Sequence, residues 1–105
     1  MSGSDQLPLV AALQDSLKDD NPPDYVKGPA EAHWNVGKGN FAKALALIEK
    51  DVSKEAAWVR AHLHRRRGET AAAGDWYAKA ERPPSTLDLD REWSEIAAGL
   101  LLKVQ

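Results

Sequence analysis

The chain has 105 residues and a mass of 11.5 kDa, enough for one domain spanning 1–105 and too little for two. With 43% hydrophobic and 29% charged residues the composition is globular. Fourteen basic against sixteen acidic side chains leave a net charge of -2, so no whole-molecule field draws the chain onto nucleic acid or an anionic membrane. The absence of cysteine excludes disulfides, thiolate metal sites and a cysteine nucleophile.

No apolar run in the sequence is long enough to span a bilayer. The opening MSGSDQLPL lacks the charged and apolar regions of a signal peptide, so a cytoplasmic location is expected. Residues 1–6 read as frayed. Leu9, Val10, Leu13 and Leu17 keep helical spacing and predict a first helix over 7–18, with Pro8 tolerated in its first turn. The acidic and proline-rich stretch ending in Pro22-Pro23 stops that helix, and 19–28 reads as a connector.

Pro29 suits a helix start. Ala30, His33, Trp34 and Gly37 carry the second helix to the Gly37-Lys38-Gly39 break. Asn40 is a fair N-cap for a third helix over 41–51, with Phe41, Ala44, Leu45 and Ile48 as its apolar residues. Ser53 and Glu55 favour a helix start before a fourth helix over 54–67, which Gly68 ends. A fifth spans 70–81, and Pro83-Pro84 stop it. Ser85 and Asp88 fit a capping box ahead of the last helix, whose stripe is Leu89, Trp93, Ile96, Ala97, Leu100 and Val104. No segment alternates in the manner of a strand. The expected class is all-α, about six helices.

Shifting the chain by 29 residues lays Ala32-His33 on Ala61-His62, Gly39 on Gly68, Ala42 and Ala44 on Ala71 and Ala73, and Ile48 on Tyr77. Each copy reads as helix, glycine turn, helix: an antiparallel hairpin, with the first and last helices as caps. Trp58, Gly68, Ala73, Tyr77, Ala80 and Pro83 resemble a degenerate tetratricopeptide repeat (TPR). The spacing from Trp58 to Gly68 is one residue short, and His62 stands where that family places a glycine. The strings AHLHRRRGE, WYAKAERP and EWSEIAAGLL look like a family of small uncharacterised all-α proteins. The resemblance implies a helical-repeat fold and protein binding, and no activity. The TPR carboxylate clamp is not implied, because Val59, Leu63 and Arg66 stand at the matching face and only the arginine fits.

The densest polar run is Arg60 to Arg67. Cations at a helix C-terminus complement its dipole; the functional alternative is a site for an anion or an acidic partner. Residues 25–83 hold eleven basic and seven acidic groups, so a local positive patch is compatible with the negative total. His62 and His64 point about 200° apart on a helix and cannot share a metal, whereas the repeat places His33 and His62 at equivalent positions. Glu31, Glu55 or Glu69 could join that pair, but two convergent ligands fall short of a zinc site. The bland alternative is a pair of histidines bonded across a helix interface. Trp34, Trp58, Trp76 and Trp93 fall one to a helix and read mainly as core. Trp76 and Tyr77 diverge by about 100°, so only one can face the hairpin interior. Leu101 and Leu102 extend the last helix beyond a single stripe and could meet another chain.

The sequence therefore leads to a non-enzymatic interaction or scaffold module. It binds a protein or peptide, with an acidic partner and a homodimer as open options, through His62, Arg66, Arg67, Trp76 and Tyr77. No cofactor, metal, nucleic acid or membrane is expected. The alternative is a small-ligand or metal-assisted enzyme using His33, His62 and nearby carboxylates.

Overall fold

The structure is a computed structural model and describes residues 7–102; the expected fraying at 1–6 and Val104 of the last stripe lie outside them. Six α-helices run in order: α1 (Leu7–Asp15), α2 (Pro29–Lys38), α3 (Phe41–Leu47), α4 (Lys54–Arg66), α5 (Thr70–Ala80) and α6 (Leu89–Leu102). No strand occurs among the described residues, and the chain is an all-α domain. No helix among them is long and apolar enough to cross a membrane.

Local chemistry sets the ends. The first helix tightens into a 3-10 turn over Ser16–Lys18. Pro29 opens α2, and Gly39 closes it at φ 83°, donating its N–H to the carbonyls of Asn35 and Val36. A residue with a Cβ is strained at that φ. α3 is shorter than the 41–51 expected: its regular part ends at Leu47 and turns carry the chain to Asp51. Ser53 caps α4, its Oγ accepting from Ala56 N at 3.1 Å. The N-cap of α6 is Asp88, whose carboxylate accepts from Arg91 N at 2.8 Å; Ser85 instead accepts from Leu87 N, so the helix starts one turn later than the capping-box reading implies.

α4 and α5 pack along their length as a hairpin, α2 and α3 form a second, and α2 lies against α4. The last helix does more than close an end. It packs on α1, α2 and α4. Its apolar stripe enters two clusters: Ile96 and Leu100 join the large one around Val36, Val59, Leu63 and Tyr77, while Trp93 and Ala97 join Leu13, Val26 and Trp34. Leu101 packs against the second cluster; the side chain of Leu102 is outside the described residues. Gly99 permits the α4–α6 approach, since a Cβ there would lie 2.7 Å from the Trp58 ring.

Candidate functional site

The functional question centres on a cluster of polar side chains enclosed where α2, α4, α5 and α6 meet. Glu92, on the first turns of α6, has no exposed surface. One carboxylate oxygen accepts from His62 Nδ1 at 2.7 Å and from Arg65 Nη1 at 3.0 Å; the other accepts from the Tyr77 hydroxyl. Arg65 also donates to the Leu87 carbonyl. His62 Nε2 accepts from Arg66 Nε at 2.7 Å, so this imidazole is neutral and carries its proton on Nδ1. Arg66 in turn lies 3.5 Å from Asp90.

His33 lies next to this chain of bonds. Its ring stacks on Trp93 at 4.9 Å between centroids and meets His62 edge-on at 5.5 Å. His33 Nε2 donates to the Trp93 carbonyl at 2.9 Å, and Trp93 Nε1 returns a bond to the His33 carbonyl at 2.9 Å. Because a carbonyl only accepts, the His33 proton sits on Nε2. His33 Nδ1 is buried with no partner.

The energetics follow from burial and bonding. Burial, with a further contribution from neighbouring His62, pushes His33 down to about 3. Burial also lowers His62, opposed in part by its bond to Glu92. For Glu92 burial acts upward, but the bonds from His62, Tyr77 and Arg65 outweigh it and hold the carboxyl at about 2. Burial, then the adjacent carboxylate, raises the Tyr77 hydroxyl above its ordinary range.

The structure brings His33 and His62 together. The carboxylate beside them is Glu92, however, and not Glu31, Glu55 or Glu69. Glu69 instead accepts from His64 Nδ1 at 2.7 Å and pairs with Arg67 at 3.3 Å. Glu92 escaped the sequence reading because an acidic first turn is explained by the helix dipole. Its register was the available signal: position 92 lies three residues after Leu89 and four before Ile96, inside the apolar stripe. No group of three or more histidine, aspartate or glutamate side chains among the described residues is arranged to hold a metal ion.

The predicted partner residues separate. His62 and Tyr77, both expected as contact residues, are buried and bonded to Glu92. The cause is that an unpaired carboxylate at position 92 would be costly in the core, and these two side chains satisfy it. Arg66 and Arg67 keep partial exposure, but each faces an acid of this chain, Asp90 and Glu69. With Arg65 bound to Glu92, all three consecutive arginines have intramolecular acidic partners. Trp76 is partly buried and packs against the large apolar cluster. Arg60 Cζ lies 4.6 Å from its ring centroid and Lys79 Nζ 4.2 Å.

One open cleft adjoins the hairpin, about 600 Å³, with Lys54, Trp58, Arg82, Pro83 and Leu100 on its walls. Arg82 lies over the Trp58 ring at 3.7 Å, and Lys54 pairs with Glu81 at 2.9 Å, so its charges are largely balanced from within. Compared with family models, with curated proteins and with solved structures, the chain has no match in any of the three.

Proposed function

We propose that this chain is a non-enzymatic interaction module that binds an acidic segment of a protein or peptide over Trp76. The observation that carries this reading is the Trp76 surface. It sets a partly exposed aromatic between two cations; Lys79 forms no ion pair among the described residues, while Arg60 is held by the Ile48 and Glu49 carbonyls and keeps its positive charge beside the ring. Aromatic and arginine side chains are the residues from which binding hot spots are most often built. The buried cluster supports the same side of the argument. His62 has both nitrogens committed, and an imidazole capped by an arginine has no free lone pair to act as a general base.

The two hairpins and their 29-residue register support a TPR-like origin for this module, and a cytoplasmic location suits its cysteine-free composition. The test is an NMR titration with glutamate-rich peptides against the native chain and a Trp76→Ala/Lys79→Glu variant. Binding should move the Trp76 indole, Arg60 and Lys79 resonances in the native chain alone. Equal binding by a folded variant, or no binding by either, rejects this face.

A further inference from the structure

We propose that His33, His62 and Arg66 form a proton-operated latch: proton uptake by the buried imidazoles expels the Arg66 guanidinium and loosens α6 from α2 and α4.

The argument is geometric. His62 has no nitrogen at which a proton can be added in place. Nδ1 already carries one, donated to Glu92, and Nε2 accepts from Arg66 Nε at 2.7 Å. A proton on Nε2 would set N–H against N–H and place a cationic ring against a guanidinium. Arg66 must leave for the site to charge. It has a path outward, because it sits at the rim and its other contact, Asp90, is exposed.

His33 is the complementary half. Its bare Nδ1 is the only position open to a proton, and it is buried without an acceptor. Charging it would leave an unsatisfied N–H and put a second cation 5.5 Å from His62. The ring lies on Trp93 and bonds its carbonyl, so any shift of His33 acts on α6 directly. The charged and titratable groups facing the pair are Arg65 and Arg66 from α4, Tyr77 from α5, and Glu92 and Asp90 from α6. Glu92 favours protonation of the pair and the arginines oppose it. Among the described residues, α1 and α3 bring no ionisable side chain into the cluster. Burial is the largest influence on both rings, so proton uptake and opening of the packing are linked and each favours the other.

The test pairs an acid titration with a variant. His33→Gln keeps an N–H donor for the Trp93 carbonyl and removes the protonation site. In the native chain, tryptophan fluorescence and urea midpoint should hold steady above about pH 6.5 and fall as pH drops below it. In His33→Gln the decline between about pH 6.5 and 4 should be roughly half as steep, because only His62 of the pair still takes up a proton on opening. An equally steep decline in the folded variant overturns the proposal. Should the variant fail to fold, NMR of the native chain decides. The Arg66 Nε–H signal and the imidazole nitrogens should change in one shared transition. Imidazoles that protonate while the Arg66 signal stays fixed overturn the latch.

Discussion

Glu92 is the residue on which the interior depends. A carboxylate without solvent contact is tolerated because three donors from two other helices converge on it. Glu92→Gln keeps the shape but replaces acceptor capacity with an amide N–H₂ among donors. A loss of about 3–5 kcal/mol is expected in urea unfolding at pH 7. Tyr77→Phe removes one donor and should cost about 1–2 kcal/mol. The same variant tests a pH effect. The Tyr77 hydroxyl is raised in the fold above its ordinary value of 10, so its contribution is complete below pH 10 and is lost as pH rises beyond it. The alkaline fall in stability should be shallower in Tyr77→Phe than in the native chain. Trp76 and Tyr77 show how much was legible at this scale. Helical geometry alone requires that the two rings diverge, but only the position of Glu92 decides that the tyrosine turns inward.

At the level of elements, two contacts of α6 can be tested separately. Its Asp88 cap is local, and Asp88→Ala should cost about 1 kcal/mol by circular dichroism melting. Its approach to α4 is long-range. Gly99→Ala drives a methyl against the Trp58 ring and should cost about 1–3 kcal/mol, with a matching change in tryptophan emission. If Gly99→Ala melts like the native chain, the close approach of the two helices is wrong. The helices themselves were readable from prolines, glycines and 3.6-residue periodicity. The regular part of α3 ended early because Ile48 and its successors turn where Arg60 donates to the carbonyls of Ile48 and Glu49, a partner twelve residues away from Ile48 in sequence.

For the whole molecule, α6 closes the fold by supplying apolar side chains to both clusters. A chain ending before Leu89 would expose Leu13, Val36, Trp34 and Leu63 surfaces together, and it should lack a cooperative thermal transition. Stability should also fall on acidification in two ranges. His33, lowered in the fold to about 3, confers stability that is complete above 6.5 and declines as pH falls toward 3. Glu92 adds a second decline from 4.5 toward 2. A urea midpoint flat from pH 6.5 to 3 would contradict the burial of His33, and one flat from 4.5 to 2 the bonding of Glu92.

The sequence by itself determined the all-α class and the six helices with most of their ends. These depend on local sterics and on periodicity, which act over a few residues. Tertiary structure alone decided the rest. Glu92 became the centre of the buried cluster, the three arginines were matched to acids of the same chain, and Trp76 was left at the surface between two cations. Each of those outcomes depends on which side chains from distant helices arrive within about 3–5 Å, where burial and pairing outweigh the local preferences of any one residue.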